Sequence, residues 1–201
     1  MKARAGASGR RGSVRRGPSV RDLALVSLFA ALTAVGALLR IPLPPVPFTL
    51  QIFFALLAGL LLGARRGAAS QIVYALLGLV GLPVFAGGGG WQYVLTPGFG
   101  YVLGFVAAAA VAGAVAGGAK TSPPRQPGVR LLAAGFLGLA ACYAVGLPYF
   151  FWILNSVQGV PTAASTVVSR GLLVFLPWDV PKVLLAAAVA GRVRPLLLQA
   201  S

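Results

Sequence analysis

The apolar residues of the chain form six long runs, which glycine, proline and charged residues separate. The runs cover residues 22–39, 48–64, 68–83, 98–118, 130–154 and 172–191. Most of them reach the roughly 17–25 residues that a helix needs to cross a bilayer. The pattern therefore predicts an all-α integral membrane protein, folded as a bundle of six transmembrane helices.

The composition points to the same surroundings. Of the 201 residues, 58% are hydrophobic and only 9% are charged, whereas a soluble domain carries about 25% charged residues. A chain with so few charges cannot cover itself with polar surface, so we expect lipid around it. The prediction is a multi-pass protein of the cell membrane.

The charges are strongly unbalanced, with 17 basic and two acidic residues. Seven of the basic residues lie in the first 21 positions, without the recognition module that nucleic-acid binding requires. We interpret residues 1–21 as a basic, disordered tail that lies at the cytoplasmic lipid surface. A cleaved signal peptide is disfavoured, because no clear small-residue cleavage site interrupts residues 23–39.

The basic residues also orient the predicted helices. If the tail is cytoplasmic, fourteen basic residues fall on the inner side, including Arg65 and Arg66 in a turn, and two, Arg40 and Arg170, fall outside. The positive-inside rule then places both termini in the cytoplasm. The membrane domain spans residues 22–194, and residues 195–201 form a short cytoplasmic tail. The outside connections are longer than the inside turn at 65–67 and are rich in Gly, Pro, Gln, Trp and Tyr, so we expect the working face there.

One acidic residue lies in the last apolar run. Asp179 precedes Lys182 by three residues, so the two share a helical face. Pro177 suits a helix start, and the helix dipole favours an anion in the first turn, so a purely structural ion pair explains the acid. The alternative is a ligand site, because ionisable residues inside a membrane usually carry function.

The side-chain inventory defines the ligand that such a site would take. Asp179 accepts N–H donors, Lys182 donates to an oxygen, and Gln51 can do both. An apolar ligand body could lie against the nearby aromatic residues, which are Trp91, Tyr101, Tyr149 and Trp152. A small, mostly apolar acid that carries an amide fits this set, and a polyphosphate does not.

Several classes of site are disfavoured by residues that the chain lacks. It has no histidine and a single cysteine, Cys142, so a His/Cys metal site is excluded and a redox cofactor has no visible anchor. The apolar runs beyond Asp22 hold one carboxylate, which is too few for the acid–base pair of a hydrolytic enzyme. The chain also contains no Walker motif, so it has no ATPase of its own.

Small residues recur four apart, as helices in close contact require. The pairs are Ala30/Ala34, Gly59/Gly63, Gly100/Gly104 and Gly113/Gly117. Two interpretations stay open, namely tight packing within the bundle and, for Ala30 and Ala34, a surface for another membrane protein.

Five segments, in order, resemble the signature segments of the BioY family. They are PVPFTLQ (45–51), LAGLLLGARRGAAS (57–70), GLPVFAGGGG (81–90), PGFGYVLGF (97–105) and FLPWDVPK (175–182). This family comprises the biotin-binding S components of energy-coupling-factor transporters. The resemblance implies a six-helix bundle in which Asp179 and Lys182 contact biotin, with Gln51 and Gly88 completing the polar contacts. The sequence departs from the family pattern at Trp178, where glycine is usual, and at Pro181, where an aliphatic residue is usual.

The resemblance also implies partners. Biotin is captured from outside, and uptake requires a coupling membrane protein and two ATPase subunits, which alone use ATP. The subunit itself needs no cofactor, and Ala30 and Ala34 would face a partner. The alternatives are a stand-alone facilitator and an S component for another small vitamin-like ligand.

Overall fold

The computed structural model describes residues 19–42, 46–117 and 127–199. Its helices are α1 (Val20–Leu38), α2 (Gln51–Leu62), α3 (Ala64–Leu79), α4 (Phe99–Ala116), α5 (Pro127–Trp152), α6 (Ala164–Val168) and α7 (Leu176–Gln199). A 3-10 helix, Trp91–Leu95, precedes α4, and the π-helical turns Ile153–Val157 and Ser169–Leu173 continue α5 and α6. Strands β1 (Arg40–Ile41) and β2 (Phe48–Thr49) pair in antiparallel fashion between α1 and α2. Within these ranges the chain is predominantly helical, which confirms the predicted helical class.

Helix α4 packs on α2, α3 and α5. Glycines allow this close approach. A Cβ atom on Gly104 would lie 2.7 Å from the carbonyl oxygen of Cys142 on α5, and one on Gly59 would lie 2.9 Å from Cα of Ala109. These small residues therefore serve packing within the chain, as one of the two interpretations expected.

The connection between α2 and α3 is a single residue, Gly63, with φ of +83°. Such a backbone conformation costs glycine little and other residues much more. Helix α3 begins at Ala64, so the prediction of a turn at Arg65 and Arg66 is wrong, and both lie in the first turn of a helix. Arg66 there reaches back to Asp22 on α1, with 3.0 Å between Nη2 and Oδ1.

Fewer helices reach membrane-spanning length than the six that the apolar runs predict. Among the described residues, α1, α4 and the helix Gly128–Val157 are long and apolar enough. Helix α6 with its π-helical turn and α7, bent by 42°, together make up to a fourth span. Helix α2 is shorter than its apolar run because Phe48 and Thr49 belong to a strand, and its 12 residues extend only about 18 Å.

The first and last long helices extend beyond the apolar runs that predicted them. Helix α1 starts at Val20, and Ser19 caps it through a reciprocal pair of hydrogen bonds with Asp22. Helix α7 continues through Pro195 to Gln199, past residue 194, where we expected a tail to begin. Most of the predicted basic tail, residues 1–18, lies outside the described residues. Helix α6 falls within a predicted outside connection, 154–170.

Arginine side chains gather several helix ends at one end of the bundle. Arg21 donates to the carbonyl of Leu197, Arg130 to that of Val115 and Arg194 to that of Ala116, and Arg66 pairs with Asp22. The starts of α1, α3 and α5 and the ends of α4 and α7 therefore meet here. We call this the arginine end.

Candidate ligand-binding site

A partly open cavity lies away from the arginine end, between the starts of α2, α4 and α7 and the middle of α5. Polar groups converge on it from Thr49, Gln51, Tyr93, Tyr101, Tyr143, Asp179 and Lys182. Much of the remaining wall is apolar, with Val102, Phe105, Leu139 and Phe175 among its members.

The first turns of α7 supply the charged pair that the sequence predicts. The ammonium of Lys182 lies 2.8 Å from Oδ1 of Asp179, and each residue is only 7% exposed. Asp179 is the fourth residue of α7, where the helix dipole favours an anion. A salt bridge so well buried costs desolvation energy unless further hydrogen bonds complete it.

Tyr143 on α5 supplies such a bond. Its hydroxyl donates to Oδ2 of Asp179 at 2.6 Å, so each carboxylate oxygen accepts from a protein donor. An ionised carboxylate offers about four acceptor positions. Asp179 therefore retains the capacity to accept N–H donors from a ligand. Sequence reasoning missed Tyr143, because it lies 36 residues before Asp179 and no local spacing links the two.

Lys182 also connects α7 to the β-strand pair. Its ammonium donates to the carbonyl oxygen of Thr49 at 2.7 Å and lies 3.8 Å from the centre of the Phe48 ring. Such a cation–π contact stabilises by about 0.5–2 kcal/mol. The lysine therefore joins the carboxylate, the strand β2 and an aromatic face in one place.

Gln51 begins α2 and is 4% exposed. Its side-chain oxygen accepts from the hydroxyl of Thr49 at 2.8 Å, and its amide nitrogen donates to the hydroxyl of Tyr74. Tyr74 in turn donates to the carbonyl of Val84 at 3.1 Å. This chain of bonds fixes the orientation of Gln51 in the pocket wall.

The predicted aromatic residues divide into two groups. Tyr101 lines the cavity and donates to the carbonyl of Gly171 at 2.7 Å. Tyr149 instead donates to the carbonyl of Val94 at 2.6 Å, and Trp152 packs on its ring and is half exposed. The structure does not bring these two side chains to the cavity.

Trp91 and Gly88 also lie apart from the cavity. Trp91 is 74% exposed, and Gly88, with φ of +118°, forms a backbone bridge with Phe85 beside open space. The same glycine-rich segment contributes other residues instead, namely Ala86 and Tyr93. Burial raises the pKa of Tyr93, so its hydroxyl stays neutral and can donate or accept a hydrogen bond.

The small residues of α1 do not form one open surface. Ala30 is 1% exposed and belongs to the hydrophobic core, where α1 packs on α2 and α3, whereas Ala34 is half-buried. In the free subunit the small side chain of Ala30 serves internal packing, and partner contact through Ala30 and Ala34 stays a prediction. Ala34 is the more accessible of the two residues.

Comparison with known proteins identifies the architecture around this pocket. The sequence model described as the BioY family matches residues 7–199. The chain belongs to the BioY family. This confirms the resemblance carried by the five segments.

Individual relatives cover nearly the same region. The BioY-family chain is 45% identical over 174 residues to the probable biotin transporter BioY of Lysinibacillus sphaericus, an alignment that covers 87% of each chain. It is 36% identical over 178 residues to the biotin transporter BioY of Thermotoga maritima, covering 88% of this chain and 98% of the relative.

A solved structure agrees with the sequence relatives. The S-component for biotin from an ECF-type ABC transporter superposes with a TM-score of 0.63 at 26% identity, covering 88% of this BioY-family chain and 92% of the other. The long apolar helices and this likeness together establish the chain as a membrane protein.

Proposed function

We propose that the chain is the biotin-binding subunit of a vitamin uptake transporter and not an enzyme. The observation that carries the proposal is the buried arrangement of Asp179, Lys182 and Tyr143 on a cavity that polar and apolar side chains line together. Relatives named biotin transporters are 45% and 36% identical to this chain over most of its length, which supports the proposal.

The chemistry of biotin matches the pocket group by group. Its ureido ring offers two N–H donors and one carbonyl oxygen, and Asp179 has acceptor positions left for those N–H groups. The ammonium of Lys182 would donate to a ligand oxygen, either the ureido carbonyl or the carboxylate of the side arm. Val102, Phe105 and Leu139 provide an apolar wall for the thioether ring. Gln51 is held beside them in a fixed orientation.

The proposed topology has six helices, with both termini in the cytoplasm and residues 1–21 as a basic tail. The shorter helices α2 and α3 and the bent α6–α7 pair would complete the six within a thinned or partly protein-lined bilayer. The arginine end supports the orientation, because basic residues concentrate on the cytoplasmic side. The cavity would then face the outside, from which biotin is captured.

Partner subunits would supply the energy. The chain contains no Walker motif, so ATP would be hydrolysed by two ATPase subunits and transmitted through a coupling membrane protein. The S-component for biotin that this chain resembles comes from an ECF-type ABC transporter, which supports such partners. Ala34 on α1 would lie in the contact with the coupling protein. No cofactor is needed by the binding subunit.

A binding measurement on the purified chain tests the proposal. Radiolabelled biotin should bind the wild-type chain with one site and should be displaced by unlabelled biotin. The Asp179→Asn variant should bind about tenfold to a hundredfold more weakly, because it loses a charge-assisted bond of roughly 1.5–3 kcal/mol. Unchanged affinity in a folded Asp179→Asn protein would rule out this ligand site. Proteoliposomes with and without the ATPase module would then show whether uptake depends on ATP.

A further inference from the structure

Phe48 lies between two side chains of α7. The ammonium of Lys182 is 3.8 Å from the centre of its ring, and the ring of Trp178 meets it edge-on with 5.9 Å between centroids. Trp178 and Lys182 are four residues apart, so one face of α7 carries both. Thr49, which follows Phe48 in the chain, accepts a hydrogen bond from the Lys182 ammonium through its carbonyl oxygen. Strand β2 is thus held to α7 by three contacts.

These contacts fix one wall of the pocket. Val46, Pro47 and Thr49 line the cavity, and Phe48 between them points to α7. Trp178 is not part of the lining and is 64% exposed. Its large side chain therefore contacts the wall of residues 46–49 from outside the cavity, through the ring of Phe48.

We propose that Trp178 is a positioning residue that holds the wall of residues 46–49 against α7 and so sets how long a ligand stays bound. The proposal rests on the proposed function, since it needs a ligand that Lys182 contacts. An ammonium has three N–H donors, and Asp179 and Thr49 already receive two of them. The third can donate to a ligand oxygen, and the contact between Trp178 and Phe48 holds the wall independently of that donation.

The test is the dissociation rate of radiolabelled biotin, chased with unlabelled biotin, from the purified Trp178→Ala variant. An edge-on aromatic pair stabilises enough to change a rate about twofold to tenfold, so dissociation should be faster by that factor. Trp178→Phe should restore most of the wild-type rate, because it retains a ring. Leu185→Ala is the matched control, since it removes another exposed apolar side chain from α7 and should leave the rate unchanged.

A double-mutant cycle shows whether the effect passes through Phe48. In a Phe48→Leu background, Trp178→Ala should change the dissociation rate little further. An equal acceleration in both backgrounds would overturn the proposal, and so would a wild-type rate in Trp178→Ala. If Trp178→Ala does not fold, Trp178→Leu, which keeps apolar bulk, serves the same comparison. A wild-type chain that binds no biotin would instead refute the proposed function.

Discussion

The hydroxyl of Tyr143 donates to Oδ2 of Asp179 at 2.6 Å, on the carboxylate oxygen that Lys182 leaves free. Replacing Tyr143 with phenylalanine removes this donor and nothing else. We expect biotin affinity to fall about threefold to tenfold, because a buried hydrogen bond contributes about 0.5–1.5 kcal/mol and Asp179 would lose its fixed orientation. Titration calorimetry measures the change. Tyr149→Phe is the control, since its hydroxyl bonds to Val94 away from the cavity and its loss should leave affinity unaltered.

Charge pairing and ligand binding can be separated at Lys182. Lys182→Met leaves Asp179 as a buried charge with one donor, so the free energy of unfolding should fall by about 3–5 kcal/mol and binding should weaken. Adding Asp179→Asn removes the unpaired charge, so the double variant should regain stability in detergent melting. Its biotin affinity should stay low, because both ligand-contacting charges are gone. Recovery of binding together with stability would favour a purely structural ion pair.

Ala30 and Ala34 should respond differently to leucine. Ala30→Leu places extra carbon atoms in a fully packed core, which costs about 1–3 kcal/mol, so its melting temperature should drop. Ala34→Leu should keep the wild-type melting temperature and biotin affinity but lose ATP-driven uptake in proteoliposomes. Equal effects of the two variants on uptake, with unchanged stability, would contradict the assignment of Ala30 to the core.

Close packing between α4 and α5 gives a stability prediction at Gly104. In the Gly104→Ala variant, the new Cβ atom would lie 2.7 Å from the Cys142 carbonyl oxygen, so the helices must separate. We expect a loss of about 1–3 kcal/mol in stability. Gly128→Ala is the matched control, because nothing lies within 4 Å of its added Cβ, and alanine favours the helix. A lower melting temperature for both variants would show that the loss is not due to helix contact.

The residues before Ser19 should be dispensable for binding. A chain shortened to begin with methionine followed by Ser19 keeps the capping box of α1 and should bind biotin with wild-type affinity. A chain that begins at Arg21 loses the Ser19 cap, which costs about 1 kcal/mol, so it should melt at a lower temperature. Weaker binding by the first of these chains would reveal a role for the basic tail in the site.

Local spacing predicted the parts of the site that lie close in sequence. Asp179 and Lys182 face the same way because a helix brings residues three apart together, and Pro177 marks the start of that helix. Tyr143 and Thr49 come from distant segments. Only the packing of α5 and β2 against α7 brings Tyr143 to the carboxylate of Asp179 and Thr49 to the ammonium of Lys182.

The sequence-based assignment of Tyr149 and Trp152 to the pocket failed for a different reason. A hydrophobic ring at the end of a span can point to a pocket, to a neighbouring ring or to lipid, and composition does not distinguish these directions. Trp152 packs on Tyr149 and faces outward, whereas Tyr101 is directed inward by its bond to Gly171. The apolar runs likewise predicted the class of fold, but they could not show that Phe48 and Thr49 pair as a strand and shorten α2.

The arginine end has an electrical consequence. An inside-negative membrane potential of 100 mV opposes the outward transfer of each positive charge by about 2.3 kcal/mol, so this end would be held on the cytoplasmic side. The pocket differs from the arginine end in net charge, because the charges of Asp179 and Lys182 cancel. If the pocket moves across the electric field during transport, the pair adds no net gating charge. Within the described pocket, the carboxylate of the bound ligand would then be the charge that couples the movement to the voltage.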